Sequence, residues 1–354
     1  MCLSYKKMAA MVLVLGSCIL TGCAKFFPAE KQEISAQSTS HSREIFAMDT
    51  AMRVTAYGDR AKEAVQAAEE EIKRLDALFS VGNASGDIAR LNENASAVVS
   101  GETCELINRS KELYNSTGGA LNIAVYPLME AWGFTSGEYR VPEQKEIDAM
   151  LTCMDVDEIS CDENTGKVIL PEGMGIDLGA IAKGYTSARL MDVFVSYDIA
   201  SAIVSLGGNV QALGNKPDGT KWRVAVEDPF SEEGDSYAGI LEITDQAVIT
   251  SGAYERYFEQ DGKRYHHIID PATGYPAENG LASVTVVSQD GALADALSTA
   301  LFVMGKDKAL AYWKEHADEF NVFLIEDNKD MTITVGLQDC FSSQNPFLVE
   351  KKDQ

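Results

Sequence analysis

Apolar side chains recur at helical spacing in several stretches of this 354-residue chain. The clearest stretch is residues 59–80, DRAKEAVQAAEEEIKRLDALFS, where one face is apolar and the other is charged. Residues 175–196 read as a short apolar stretch that reaches Gly179 and then continues as a helix. The same spacing predicts further helices over 102–116, 143–151, 290–303 and 306–317, and a short turn around 87–92.

Alternating apolar and polar residues predict a strand over 44–57 and a series of strands in the second half of the chain. These strands are expected over 200–214, 221–229, 238–244, 246–252, 264–270, 281–288, 321–326 and 331–336. Helices segregated around a strand-rich middle favour an α+β fold of two layers.

The first residues are typical of an export signal. Lys6 and Lys7 precede an apolar run over 8–20 that is too short to span a membrane. Leu-Thr-Gly-Cys then has the form of a lipobox, which predicts a signal peptide over 1–22 and a lipid on Cys23. The alternative is an uncleaved anchor followed by a chance cysteine. Both readings place the globular part outside the cytoplasm, tethered to the cell membrane.

The polar composition of the next segment predicts a flexible tether over 23–43. We expect one large domain over 44–345 and a short tail over 346–354. Four cysteines lie after the tether, at positions 104, 153, 161 and 340, without the spacing of metal ligands. A Cys153–Cys161 disulfide and free thiols are both open interpretations.

The formal charge of −24 limits the possible partners. The acidic residues are scattered and no basic footprint is present, which excludes nucleic-acid binding. A polyanionic small ligand would need a metal ion or a local cluster of N–H groups to offset the acidic field.

Residues 290–305 could carry chemistry because an acid lies in an otherwise apolar predicted helix. Asp295 and Thr299 are four residues apart and therefore share a face. A carboxylate and a hydroxyl are hard oxygen ligands that suit Mg²⁺. The alternative is that Asp295 caps or pairs with a neighbour.

Two other stretches are weaker candidates. In IDLGAIAKG (176–184), Gly179 and Gly184 bracket a helix start whose free N–H groups, with Lys183, would favour phosphate oxygens. A plain strand–helix turn with a solvent-facing lysine explains the same pattern. In HHIIDPATGYP (266–276), a strand runs into a turn, and the two histidines are expected to point to opposite faces.

Several motifs in this order resemble the ApbE family of FAD:protein FMN transferases, once described as thiamine biosynthesis lipoproteins. They span about residues 46–337. The motifs are MDT (48–50), GGALN (118–122), WGF (132–134), IDLGAIAKG, LGGN (206–209), WRVAVEDP (222–229), TSG.Y.RY (250–257), HIIDPATGYP and ADALSTALFVMG. The resemblance implies a single large ApbE-like (T-fold-like) domain, with a mixed or antiparallel sheet and flanking helices.

The resemblance also implies a reaction. FAD would bind with Mg²⁺, its pyrophosphate would be split, and FMN would be transferred to a threonine or serine hydroxyl of an acceptor protein with release of AMP. Acceptors of this kind are FMN-binding domains of electron-transfer or ion-pumping complexes. A metal that clamps the pyrophosphate and a positioned hydroxyl fit phosphoryl-transfer chemistry.

Carried over by position, the resemblance implies three groups of site residues. The metal ligands would be Asp295, Thr299 and the backbone carbonyl of Ala180. The catalytic residues would be Asp295 and His267, the latter near the reacting phosphate as a base, with His266 as its outward neighbour. The flavin contacts would be Met48, Ala120, Leu121, Asn122, Asp177, Lys183 and Ile269.

This chain departs from the family pattern in cofactor recognition. Members commonly have Ala-Phe-Asp where Ala120-Leu121-Asn122 stands, and we expect altered affinity rather than lost chemistry. Two further functions compete with FMN transfer. One is a Mg²⁺-dependent FAD pyrophosphatase that gives FMN and AMP, and the other is a non-enzymatic FAD-binding lipoprotein. The Asp295/Thr299 pair weighs against the latter, because simple binding needs no activating cation.

Overall fold

The structure is a computed structural model that describes residues 39–231 and 236–352. Eight α-helices lie in these ranges, and each predicted amphipathic segment corresponds to one of them. They are α1 (Ala61–Phe79), α2 (Asp87–Asn94), α3 (Gly101–Ser116), α4 (Tyr126–Trp132), α5 (Gln144–Leu151), α6 (Ala182–Ser196), α7 (Gly291–Met304) and α8 (Lys306–His316).

Seventeen strands lie in the same described ranges, several of them only two to four residues long. They are β1 (Ser40–Ala47), β2 (Thr50–Tyr57), β3 (Ser96–Val98), β4 (Ser160–Asp162), β5 (Lys167–Ile169), β6 (Ser201–Leu206), β7 (Asn209–Leu213), β8 (Trp222–Glu227), β9 (Tyr237–Ile243), β10 (Ala247–Gly252), β11 (Tyr257–Gln260), β12 (Lys263–His266), β13 (Leu281–Ser288), β14 (Phe320–Glu326), β15 (Met331–Thr334), β16 (Phe341–Ser342) and β17 (Leu348–Glu350).

A nine-stranded sheet organises the fold, in the order β1-β2-β6-β7-β10-β13-β14-β15-β17. All neighbouring pairs are antiparallel except β15 and β17, which are parallel, so the sheet is mixed. Every residue of β13 is buried, because this central strand is covered on both faces. The predicted α+β class, with a large sheet and flanking helices, is confirmed.

Helices cover one face of this sheet. α1 and α6 pack on β1, β2 and β6, and α7 packs on β10 and β13, next to α6. On the opposite face, a small sheet of order β16-β9-β8 encloses a third apolar cluster. The strict alternation of buried and exposed residues in β8 follows from its single covered face.

Some boundaries differ from the sequence prediction. The strand expected over 44–57 is a hairpin of β1 and β2, whose turn residues Met48 and Asp49 both have positive φ. Residues 40–43, which we assigned to the tether, form the first half of β1, and β17 lies within the predicted tail. The predicted signal peptide and Cys23 lie outside the described residues.

The cysteine pairing differs from both open interpretations, because Cys153 and Cys340 are free thiols while Cys104 and Cys161 are bonded to each other. Cys161 is bonded to Cys104 of α3, with their Cα atoms 6.5 Å apart, and Cys153 is a free thiol. A Cys153–Cys161 disulfide was therefore the wrong alternative, because β4 pairs with β5 and lies against α3 rather than against the end of α5. Within the part of the chain that the structure describes, no helix is long and apolar enough to cross a membrane.

Candidate functional site

The candidate site forms where α6 and α7 cross. Gly184 in the first turn of α6 faces Gly291 at the start of α7, and a Cβ at Gly184 would overlap the Gly291 carbonyl and the Asp295 side chain. A Cβ at Gly291 would likewise meet Gln211 and Ser187. The two glycines therefore allow the helix backbones to approach closely enough for Asp295 of α7 to reach the N-terminus of α6.

Asp295 is a buried acid whose two oxygens both accept hydrogen bonds. Its Oδ2 accepts from the Gly184 N–H at 2.7 Å, and its Oδ1 accepts from Asn209 Nδ2 at 2.9 Å. The residue is 4% exposed and forms no ion pair with any described basic group. Burial raises the pKa of Asp295, and this effect is opposed in part by the charge of Lys183 and by the Gly184 N–H.

The hydroxyl of Thr299 lies one helical turn beyond Asp295. Thr299 Oγ1 is 3.2 Å from Ser251 Oγ, which also bonds Ser298 Oγ at 2.7 Å. Ser251 belongs to β10, so the sheet holds this face of α7 in place. Ala180, the third predicted metal ligand, lies in the turn that leads into α6 and is partly exposed.

Lys183 is the electrostatic centre of the site. Its charge acts on four titratable groups from four segments, namely Asp177, Glu255, His267 and Asp295. Among the described residues, the Lys183 ammonium itself has only a long hydrogen bond of 3.4 Å, to the Gly179 carbonyl. The fold therefore brings these chain segments together around one cation.

Two carboxyl groups near Lys183 have raised pKa values in addition to Asp295. Desolvation raises the pKa of Asp177, although its Oδ1 accepts a 2.7 Å hydrogen bond from the Gly179 N–H. Glu255 keeps contact with solvent, yet surrounding protein raises its pKa to about 7, with Asp295 and Glu227 adding to the effect. Such perturbed acids cluster at functional sites.

His267 is partly buried and is held by the backbone of Arg256. The backbone N–H of His267 donates to the Arg256 carbonyl at 3.0 Å, and the ring Nδ1 lies 3.2 Å from the same oxygen. Because a carbonyl can only accept, Nδ1 carries the proton and Nε2 keeps its lone pair. Burial, together with the charges of Arg256 and Lys183, lowers the pKa of His267 to about 3, so the ring is neutral.

His266 is not the outward neighbour that we expected. It is 6% exposed, its Nε2 lies 3.1 Å from the Ala277 carbonyl, and its ring packs edge-on against Phe302. The prediction assumed a continuous strand over 264–270, but β12 ends at His266 and the chain bends there. His266 is therefore buried in the protein interior, whereas His267 stays partly exposed.

The predicted flavin contacts are placed in different ways. Met48 lies in the β1–β2 turn, where its sulfur accepts a 3.9 Å contact from the Thr186 hydroxyl of α6. Asn122 uses its side chain internally, accepting from Ala124 N at 2.7 Å and donating to the Met154 carbonyl at 2.9 Å. The Asp177 N–H donates to the Ile123 carbonyl, which connects the 120–122 segment to the site.

The side chains of Leu121 and Ile269 do not face an open site. Both are buried in the main apolar cluster, and Ile269 also forms a β-bridge with Pro276. Ala120 is partly buried against the same cluster. Any ligand contact at Leu121 or Ile269 would therefore have to come from the backbone.

Sequence reasoning missed several residues of this arrangement. The sequence prediction assigns no role to Asn209, Ser251, Glu255 or Arg256, although these residues lie in the motifs LGGN and TSG.Y.RY. The sequence signal that could have identified Asn209 is its position directly after a Gly-Gly pair. Gly207 and Gly208 both have positive φ and form a tight turn. This turn directs Asn209, the first residue of β7, towards Asp295.

The described ranges contain no group of three or more His, Cys, Asp or Glu side chains arranged to hold a metal ion. The predicted ligand set is of another kind, with one carboxylate, one hydroxyl and one backbone carbonyl. Its chemistry still fits a hard cation, because Asp295 is buried without an ion-pair partner in residues 39–231 and 236–352 and each of its oxygens retains a lone pair.

Comparison with known proteins places the chain in a family. The sequence pattern of the ApbE family matches residues 48–324, and the chain belongs to this family. A Klebsiella pneumoniae protein named FAD:protein FMN transferase is 38% identical over 267 residues, which are 74% of this chain and 82% of that one. A Treponema pallidum protein of the same name is 32% identical, over 86% and 89% of the two chains.

Solved structures agree with this placement. The crystal structure of the ApbE protein from Thermotoga maritima superposes with a TM-score of 0.78 at 34% identity, covering 83% of this chain and 96% of the other. The apo form of the flavinyl transferase ApbE from Pseudomonas stutzeri superposes with a TM-score of 0.77 at 28% identity, over 87% and 99%.

Proposed function

We propose that this chain is an FAD:protein FMN transferase that moves FMN from FAD to a threonine or serine hydroxyl of an acceptor protein and releases AMP. Family membership and the names of the relatives support the reaction class. One structural observation supports the chemistry most directly. Asp295 is a buried carboxylate without an ion-pair partner in the part of the chain that the structure describes, one turn from Thr299 and within the field of Lys183.

We infer that Asp295, Thr299 and the Ala180 carbonyl hold Mg²⁺. When bound, the cation would neutralise pyrophosphate charge and stabilise the charge that develops on the leaving phosphate. The protein contributes the remaining positive charge locally through Lys183, in a chain whose net charge is −24. This arrangement explains how a strongly acidic protein could bind an anionic dinucleotide.

His267 is the proposed base. Its Nε2 lone pair is free to accept the proton of the acceptor hydroxyl as the hydroxyl oxygen bonds to the FMN phosphorus and the bond to AMP breaks. The low pKa of His267 is caused in part by Arg256 and Lys183. The negative charge of a bound pyrophosphate would offset both cations, so we expect the basicity of His267 to rise when FAD binds.

The proposed acceptor is an FMN-binding domain of an electron-transfer or ion-pumping complex. We further propose that the protein acts outside the cytoplasm as a lipoprotein anchored through Cys23, on the basis of the signal-like residues 1–23. Metabolic labelling with a palmitate analogue tests this proposal. Loss of label in Cys23→Ser supports it, and unchanged labelling contradicts it.

The decisive experiment for the function measures covalent transfer. The purified chain is incubated with FAD, Mg²⁺ and an FMN-binding acceptor domain, and flavin fluorescence is followed on a denaturing gel. We expect a fluorescent acceptor band that disappears with EDTA and with substitution of the acceptor hydroxyl residue. Release of FMN and AMP without a labelled acceptor would instead favour a hydrolase, and binding of FAD without turnover would favour a carrier.

A further inference from the structure

Arg256 has an unusual position for an exposed arginine. It lies in the short connection between β10 and β11, and its Nη2 donates a 2.6 Å hydrogen bond to the Phe134 carbonyl. Its own carbonyl oxygen holds His267. Arg256 therefore contacts both the WGF motif and the proposed base. The hydrogen bond to Phe134 also fixes the orientation of its guanidinium.

The guanidinium of Arg256 is also incompletely used. A guanidinium has five N–H donors, and in the described ranges only the bond to Phe134 engages one of them. Arg256 forms no ion pair with a carboxylate of residues 39–231 or 236–352, whereas arginines such as Arg74 and Arg140 are each paired with glutamates. The remaining donors are available to a ligand.

The charge of Arg256 acts on the groups that surround Lys183. It opposes the raised pKa of Asp177 and Glu255 and contributes to the lowered pKa of His267. The Arg256 carbonyl oxygen lies 3.2 Å from His267 Nδ1, so this residue lies beside the proposed base. Lys183 approaches these groups from the start of α6, and Arg256 approaches them from the β10–β11 connection. Two cations from separate elements therefore converge beside His267.

We propose that Arg256 is a substrate-binding residue that donates to the pyrophosphate oxygens of FAD, opposite Lys183. This inference rests on the proposed function and assigns a second cation to the same site. The planar fork of a guanidinium suits two phosphate oxygens at once, which a lysine ammonium cannot match. The bond to Phe134 would reduce the entropy lost when the arginine binds its ligand.

The alternative is that Arg256 has only a structural role, in which its hydrogen bond to Phe134 holds the β10–β11 connection in place. Three variants of the full chain separate the two roles: Arg256→Gln, Arg256→Lys and the matched control Arg264→Gln. Arg264 is an exposed arginine on the neighbouring hairpin, where it pairs with Glu259 and stacks on Tyr257. The dissociation constants of FAD and of riboflavin, which carries no phosphate, are measured by flavin fluorescence in EDTA, without acceptor.

We expect Arg256→Gln to weaken FAD binding roughly 10- to 100-fold, the range for a charge-assisted hydrogen bond, and to change riboflavin binding much less. Arg256→Lys should recover part of the FAD affinity, and Arg264→Gln should bind FAD like the wild type. The melting temperature of each variant is measured in parallel, because a purely structural role would lower it without this ligand selectivity.

Two results would overturn the inference. One is unchanged FAD affinity in Arg256→Gln, and the other is an equal loss for FAD and riboflavin. Failure of the proposed function has a different signature. In that case the wild-type chain itself would not label an acceptor, whatever the affinities of the arginine variants.

Discussion

Two buried aspartates of this protein differ in how their charge is balanced. Asp87 and Asp295 both lie on helices and are both 4% exposed. Asp87 accepts from the Ser100 N–H at 2.8 Å and from the Thr103 hydroxyl at 2.7 Å, and it pairs with Arg90 at 2.5 Å. Asp295 accepts from one backbone N–H and one amide and has no ion-pair partner among the described residues.

The difference shows in the pKa values. Burial raises the pKa of Asp87, but Ser100, Thr103 and Arg90 together outweigh burial and hold it below its ordinary value. The pKa of Asp295 lies above its ordinary value because burial dominates. A balanced buried charge supports the fold, whereas an unbalanced one is retained at a cost in stability. Asp295 thus has the character expected of a functional group, and Asp87 that of a structural one.

The largest expected effect separates activity from stability. Asp295→Asn should lower FMN transfer by roughly 10²- to 10³-fold, because the proposed Mg²⁺ site loses its carboxylate, while the free energy of unfolding stays equal or rises. Asp87→Asn should instead lower the free energy of unfolding by about 3 kcal/mol, because Arg90 and the N–H of Ser100 lose their anion. Transfer assays and urea denaturation of both variants test whether one substitution lowers activity and the other lowers stability.

This comparison would fail if Asp295→Asn were as destabilising as Asp87→Asn, or if it kept wild-type transfer. The first result would make Asp295 a structural residue. The second would remove Asp295 from the proposed metal site.

The next effect tests the helix crossing that places Asp295. Gly184→Ala puts a Cβ against the Gly291 carbonyl and against Asp295 itself, so the helices must separate. We expect a loss of about 2 kcal/mol or more in unfolding free energy, together with reduced Mg²⁺ and FAD binding. Gly101→Ala at the start of α3 is the control, because its Cβ would meet nothing within 4 Å. Equal stability of the two variants would contradict a close helix contact.

A smaller effect comes from removing one donor from each aspartate. Thr103→Val deletes the hydroxyl that bonds Asp87 and should cost about 1–3 kcal/mol of stability, with transfer activity unchanged. Asn209→Leu deletes the amide that bonds Asp295 and should mainly weaken Mg²⁺ binding, measured by calorimetry. Unchanged Mg²⁺ affinity in Asn209→Leu would show that this hydrogen bond does not orient the carboxylate.

The smallest effect is a difference in pH dependence, measured in EDTA by urea denaturation. The folded pKa of Asp87 is lowered from 3.8, so its stabilising contribution is present above that value and is lost as the pH falls through the folded pKa. The folded pKa of Asp295 is raised from 3.8, so its contribution is present below that value and is lost as the pH rises through the folded pKa.

The difference in unfolding free energy between the wild type and each Asn variant should therefore change with pH in opposite directions. Between about pH 3 and pH 7, stability relative to Asp87→Asn should increase, and stability relative to Asp295→Asn should decrease. If the two differences changed with pH in the same direction, the protein would not shift the pKa values of the two carboxyl groups in opposite directions.

The local pattern of apolar and polar residues was sufficient to predict the longer helices and strands. The apolar stripe over 59–80 corresponds to α1 over Ala61–Phe79, and the alternation over 221–229 corresponds to β8 over Trp222–Glu227. Each signal depends on which face of one element is buried, a property that periodicity reveals without knowledge of the partner. Short elements such as β3 and β16 were missed, because their pairing depends on distant strands and not on their own pattern.

For the site, the sequence by itself determined that Asp295 and Thr299 share a helix face, because four residues make one turn. Only the tertiary structure decided what surrounds them. The donors to Asp295 come from Asn209 and Gly184, which are 86 and 111 positions away, and Arg256 is aimed by Phe134, 122 positions away. The same holds for His266, which is buried because the strand expected to continue to residue 270 ends at His266 and the chain bends there. Such contacts depend on how helices and strands pack, and no local period of the sequence encodes them.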